Sequence, residues 1–145
     1  MTDNFEPRAA PLESVALLLA RIFLAAIFLQ SGFGKLTGVE GFAGYLGGHG
    51  VPAEYSYLAA IVAGVVEFLG ALCILFGFFT RLAALVMALF TVVAAAIGHR
   101  FWEFADPATH LAQMINFMKN VAIVGGFLAL YTAGPGRMSV DGRSK

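Results

Sequence analysis

The chain has 145 residues, of which 59% are hydrophobic and 12% are charged, and its mean hydropathy is +0.82. A water-soluble domain of this length leaves too much surface exposed to hide so many apolar side chains, so the composition indicates an integral membrane protein. The formal net charge is zero and no basic run occurs, which argues against nucleic acid as a partner. The single cysteine, Cys73, excludes an intrachain disulfide and a cysteine-ligated cluster.

Four long apolar stretches follow one another along the chain. They predict membrane spans at approximately 15–34, 57–79, 82–100 and 113–132, within a single domain that covers residues 1–145. A helix of about 20 residues crosses a bilayer, and backbone in lipid must satisfy its own hydrogen bonds. The predicted fold is therefore all-α, a four-helix transmembrane bundle. A cleaved signal peptide is the alternative for the first stretch, but Asp3 and Glu6 make its leader a poor positively charged region.

The connection between the first two spans, residues 37–52, has a helical pattern of its own. Val39, Phe42, Ala43 and Leu46 recur on one helical face, and Pro52 follows a glycine-rich stop. The pattern predicts a short interfacial helix, which either caps the bundle or forms a lid over a pocket.

Basic residues outside the predicted spans are distributed unevenly between the two sides. Because such residues favour the cytoplasmic side, the bias predicts that both termini are cytoplasmic and that the polar tail from residue 134 lies on the membrane surface. Five fall on one side and two on the other: Arg8, Arg81, Arg137, Arg143 and Lys145, against Lys35 and Arg100.

Polar side chains inside or at the ends of the spans are the candidate functional residues. A charge near the bilayer centre costs on the order of 2.5–3.5 kcal/mol, so such groups should face the bundle interior and pair. Glu67 is therefore expected within salt-bridge reach of Arg21 or Lys119, with Lys119 preferred. The full set of candidates is Arg21, Gln30, Lys35, Glu67, His99, Gln113, Asn116, Lys119 and Asn120.

These residues support two interpretations. An intramembrane ion pair can simply fix the register of the helices. Alternatively, the polar groups line a cavity that opens toward the outer face beneath residues 37–52, and its predicted lining is Gln30, Glu67, His99, Asn116, Lys119 and Asn120. No metal site is predicted, because His49 and His110 are loop residues without ligand spacing.

Several motifs resemble those of the DoxX family, in particular its short inner-membrane branch from Gram-negative bacteria. The resemblance runs from about Leu17 to Asp141. It is carried by an arginine early in the first span, an acid in the middle of the second, and the segments "GFGKLTG", "GFFTRLAAL", "GHRFW", "INFMKNVAIVGGFLAL" and "GPGRMSVD".

The resemblance implies a four-helix protein of the bacterial inner (cytoplasmic) membrane. Family members are linked to complexes that pass electrons to quinone and to oxidative-stress machinery. The chain contains no flavin, haem or cluster motif, so the implied role is an accessory membrane subunit of a redox system that is not catalytic alone, with quinone as the one cofactor suggested. The family's polar motif positions correspond to Arg21, Lys35, Glu67, His99, Asn116, Lys119 and Asn120.

Two other functions remain open at this point. One is a small solute or proton-coupled transporter, in which Glu67 changes protonation and a homodimer supplies enough spans. The other is a structural or assembly factor without a ligand. The expected partners are the lipid bilayer, a redox protein complex and a second copy of the chain.

Overall fold

The computed structural model describes residues 11–143, so Arg8 and Lys145 lie outside the described residues. No strand occurs in this range. The elements confirm the predicted all-α bundle of four membrane-spanning helices with a short helix between the first two. They are α1 (Pro11–Thr37), α2 (Val39–Gly48), α3 (Ala53–Phe76), α4 (Thr80–Gly98), a 3-10 turn (Phe101–Glu103), α5 (Pro107–Ala133) and α6 (Val140–Arg143).

The ends of the spanning helices differ from the predicted limits for local reasons. The fourth span begins at Pro107 rather than at 113, because the Asp106 carboxylate accepts the Thr109 backbone N–H at 2.9 Å and caps the helix. Hydrogen bonds from the Thr109 side chain and backbone lower the pKa of Asp106. The second span ends at Phe76, before the predicted 79, because Gly77 adopts a left-handed conformation with φ of 68°.

The four long helices form a ring in the order α1, α3, α4, α5. Helices α1 and α3 pack along their lengths, and α1 and α5 have the least contact of the neighbouring pairs. Glycine makes the close packing of α1 on α3 possible, since a Cβ on Gly32 would lie 2.8 Å from the Phe68 backbone nitrogen.

An apolar layer fills the middle of the bundle. Its buried members include Ala25, Ile74, Met87 and Phe127, and the Phe28 and Phe127 rings pack with their centroids 5.5 Å apart. This layer separates two polar regions, one at the end of the bundle that carries α2 and one at the opposite, C-terminal end. We call these the α2 end and the C-terminal end.

The C-terminal segment, residues 134–143, which the sequence predicts at the membrane surface, folds over the bundle end and forms hydrogen bonds with the spanning helices. The guanidinium of Arg21, which is fully buried, donates to the Met138 carbonyl. The Asp141 carboxylate accepts the backbone N–H and the hydroxyl of Thr80, at 2.8 and 2.9 Å, and so caps α4. Burial raises the pKa of Asp141, but hydrogen bonds from Thr80 and Phe79 and the charge of Arg21 outweigh it and hold that pKa below its usual value.

Candidate functional site

Glu67 forms an ion pair with Lys35 in the α2 half of the bundle. Lys35 Nζ lies 2.5 Å from Glu67 Oε2 and also donates to Ser31 Oγ at 2.6 Å. The Glu67 side chain is 4% exposed and that of Lys35 is 18% exposed, so the pair is shielded from the surroundings. The prediction that Glu67 pairs with Arg21 or Lys119 is therefore wrong.

The geometry of α1 explains why Lys35 is the partner. The helix continues to Thr37, and helical side chains lean toward the N-terminus, so the Lys35 side chain points back into the bundle rather than out to the interface. Gly64 on α3 lets this part of α1 approach closely, since a Cβ there would lie 3.3 Å from Lys35 Cβ. Arg21 contacts the C-terminal segment, and Lys119 Nζ donates to Asn116 Oδ1 at 3.0 Å.

A cavity of about 210 Å³ lies next to the ion pair. Its wall combines charged, polar and aromatic side chains from α1, α3, α4 and α5. The lining residues are Ile27, Phe28, Ser31, Lys35, Glu67, Phe90, Thr91, Ala94, His99, Lys119 and Asn120.

A second cavity of about 240 Å³ adjoins the first beneath α2. The two cavities share Lys35, Phe90, Ala94 and His99, whereas Phe42, Tyr45 and Leu46 of α2 line only the second. Lys35 therefore lies at the junction of the two spaces, with its Nζ 4.9 Å from the centre of the Phe42 ring.

Helix α2 is fixed over these cavities by contacts with the end of α4. The Tyr45 hydroxyl donates to the Gly98 carbonyl at 3.1 Å, and Arg100 Nη2 donates to the His49 carbonyl at 3.3 Å. Burial raises the pKa of Tyr45 although Arg100 acts in the opposite direction, so the hydroxyl keeps its proton as a donor. These contacts make α2 a roof over the cavity.

His99 belongs to the cavity wall rather than to the outer interface alone. Its Nδ1 lies 2.9 Å from Gln113 Oε1, which joins the end of α4 to the start of α5. The amide of Gln113 thereby orients the imidazole, and the ring contributes to the lining of both cavities.

The structure brings together some of the predicted site residues and separates others. Lys35, Glu67, His99, Lys119 and Asn120 line the first cavity. Gln113 and Asn116 each lie one hydrogen bond away from a lining residue, through His99 and Lys119. In contrast, Gln30 is exposed and does not line either cavity, and Arg21 lies at the C-terminal end of the bundle.

Sequence reasoning did not assign six polar or aromatic lining residues to the site, namely Phe28, Ser31, Phe42, Tyr45, Phe90 and Thr91. Ser31 precedes Lys35 by one helical turn, and that spacing was a usable signal, because residues four apart share a helix face. Thr91 donates its hydroxyl to the Met87 carbonyl at 2.6 Å, and nothing in its sequence context distinguishes it from a packing residue.

The arrangement is suited to a small ring that carries oxygen atoms. Ammonium groups of Lys35 and Lys119 can donate hydrogen bonds, the Glu67 carboxylate can accept them, and Phe28 and Phe90 supply apolar contacts. Within residues 11–143, no three His, Cys, Asp or Glu side chains lie close enough together to hold a metal ion.

Comparison with known proteins places the chain among bacterial membrane proteins. The DoxX family model matches residues 16–100. Inner membrane protein YphA of Escherichia coli (strain K12) is 43% identical over 129 residues, which cover 89% of this chain and 90% of that protein. Inner membrane protein YqjF of the same organism is 42% identical over 130 residues, which cover 90% of this chain and 92% of that protein.

A more distant relative carries a functional name. The Bacillus subtilis (strain 168) protein "Putative oxidoreductase CatD" is 32% identical over 83 residues, which cover 57% of this chain and 58% of that protein. No solved structure matches the chain significantly. The extent of the family match and of the identity to the two Escherichia coli proteins shows that this chain belongs to the DoxX family.

Proposed function

We propose that this chain is an inner-membrane protein that binds the ring of a quinone in the cavity beside Glu67 and serves as an accessory membrane subunit of a redox system. One observation carries the proposal. The largely buried Glu67–Lys35 pair faces a cavity whose wall also carries a second ammonium, an imidazole and an amide. A pair that only fixed helix register would not need these additional groups at its side.

The cavity has hydrogen-bonding groups that suit both the oxidised and the reduced form of such a ring. The carbonyl oxygens of a quinone accept hydrogen bonds, which Lys35 and Lys119 can donate. The hydroxyl groups of the reduced form donate hydrogen bonds, which the Glu67 carboxylate can accept. Phe28 and Phe90 provide apolar surface for the ring. The chain's own residues thus bind and orient the ring, while the electrons come from a partner protein.

The names of the relatives support the proposed inner-membrane location of this chain and its proposed role in a redox system. YphA and YqjF are named inner membrane proteins, and the name of CatD refers to an oxidoreductase. The uneven distribution of basic residues supports cytoplasmic termini. A transport function receives less support, because the apolar layer around Met87 and Phe127 interrupts a polar path between the two bundle ends.

Replacement of Lys119 tests the proposal by direct binding. We expect Lys119→Met to weaken the affinity of the purified protein for a tail-less ring, 2,3-dimethoxy-5-methylbenzoquinone, by about 10- to 100-fold. A hydrogen bond to a charged group contributes about 1.5–3 kcal/mol, and 1.4 kcal/mol corresponds to a factor of ten. Isothermal titration in detergent measures the affinity.

The matched control is Gln30→Leu, which removes an exposed polar side chain of α1 that does not line the cavity. This variant should bind the ring as the wild type does. Equal affinity in the wild type and in Lys119→Met, or no binding by the wild type, would contradict the proposal.

A further inference from the structure

A groove runs along the membrane-exposed seam between α1 and α5. It has a volume of about 400 Å³, and all of its lining side chains are apolar. Leu17, Ala20 and Leu24 of α1 and Gly126, Ala129 and Ala133 of α5 form most of the lining. The groove lies at the one junction of the ring where neighbouring helices have little contact.

The polar cavity lies on the same α1–α5 seam, closer to the α2 end of the bundle than the groove. Ile27 and Ser31 continue the groove-lining face of α1 at helical spacing, and they line the cavity. On α5, Lys119 lines the cavity and Gly126 lines the groove. Ala122 lies between them on the same helix face, three residues after Lys119 and four before Gly126. The two spaces therefore lie on one continuous pair of helix faces.

The length of the seam matches that of a lipid tail. From Ser31 to Leu17 a helix extends about 21 Å, and from Asn120 to Ala133 about 20 Å, at 1.5 Å per residue. A molecule with its ring in the cavity could thus extend a tail along the groove toward the C-terminal end while remaining in the hydrocarbon region.

We propose that the ligand of this protein is a membrane-borne amphiphile whose polar ring lies in the cavity and whose apolar tail lies in the α1–α5 groove. This inference rests on the proposed function and deepens it, because it excludes water-soluble rings as the natural ligand. It also assigns Ala20 and Ala129 as residues that determine specificity for the tail.

The tail gains its preference for the groove from its attachment to the ring. An ordinary acyl chain of the bilayer is as apolar as the groove, so transfer from lipid supplies little hydrophobic driving force. A tail that is joined to a bound ring is present at a high effective concentration, and each contact that it makes adds dispersion energy. An occupant with a matching ring is therefore favoured over bilayer lipid.

The test compares the tail-less ring with decylubiquinone, which carries the same ring and a ten-carbon tail. We expect the wild type to bind decylubiquinone at least about tenfold more tightly, a difference that corresponds to about 1.4 kcal/mol. Ala20→Phe and Ala129→Phe fill the groove, so each should abolish this preference and leave the affinity for the tail-less ring unchanged.

The control is Ala26→Phe, which places the same bulk on an exposed position of α1 outside the groove and should keep the full preference. Because partition of the tail into detergent is the same for every variant, a preference that survives in both groove variants would overturn the inference while leaving ring binding intact. Conversion of a dimer into a monomer by the groove variants would also overturn it, since a second copy would then occupy the seam. Failure of both ligands to bind the wild type would instead refute the proposed function itself.

Discussion

Glu67→Ala should destabilise the protein by roughly 3–5 kcal/mol, because breaking a buried ion pair leaves the remaining charge uncompensated. That charge is the Lys35 ammonium, whose side chain is 18% exposed and lies deep enough to face the cavity. The free energy of unfolding can be measured by titration with sodium dodecyl sulfate in mixed micelles. Glu103→Ala is a matched control, since it removes an acid 2.9 Å from Arg100 in a more exposed pair and should cost less than about 1 kcal/mol.

A second substitution identifies the partner of Glu67. The double variant Glu67→Gln with Lys35→Met removes both charges, and we expect it to recover most of the lost stability. Glu67→Gln with Lys119→Met keeps the Lys35 ammonium and should not recover it. Rescue by the Lys119 replacement, with none by the Lys35 replacement, would contradict the pairing seen here.

Arg21→Met should release the C-terminal segment from the bundle. The buried guanidinium donates to the Met138 carbonyl, and a hydrogen bond to a charged group contributes about 1.5–3 kcal/mol. Methionine retains most of the packing of the arginine but cannot donate. We therefore expect trypsin to cleave after Arg137 about 10- to 100-fold faster in this variant, as followed by mass spectrometry.

The control for this experiment is Lys119→Met, which removes an exposed cation from the α2 half of the bundle and should leave the cleavage rate after Arg137 close to that of the wild type. The pH dependence provides a second readout. The pKa of Asp141 is depressed in the folded protein. Its contribution to the stability of the fold is therefore complete above the ordinary carboxyl pKa of about 3.9, and it is lost as the pH falls through the lowered pKa. Unchanged cleavage in Arg21→Met would show that the segment is held by other contacts.

The number and type of the helices could be predicted from the sequence because lipid permits few structures. Apolar stretches of sufficient length must be helical in a bilayer, and the spacing of Val39, Phe42 and Leu46 was enough to predict α2. The helix ends were less predictable, because they depend on local caps such as Asp106 and on the left-handed Gly77.

The partner of Glu67 could not be predicted because depth along the helix was judged from the Cα position alone. Lys35 lies near the end of α1, yet its long side chain points back toward Ser31, one helical turn earlier, and reaches Glu67. The contact between Arg21 and the C-terminal segment could not be predicted either, because it joins residues 117 positions apart and no sequence pattern indicates it. The polar residues of α5 were informative because several of them share one helix face.

The quinone content of the purified protein tests the central claim most directly. Organic extraction and chromatography with ultraviolet detection should recover quinone from the wild type in a stoichiometric amount. The variant that combines Glu67→Gln with Lys35→Met should be as stable as expected above and yet contain much less, because it lacks the Lys35 ammonium that donates to the ring and the Glu67 carboxylate that accepts from it. Equal quinone in the two proteins, or none in either, would contradict a ligand-binding role and leave the pair with a structural one.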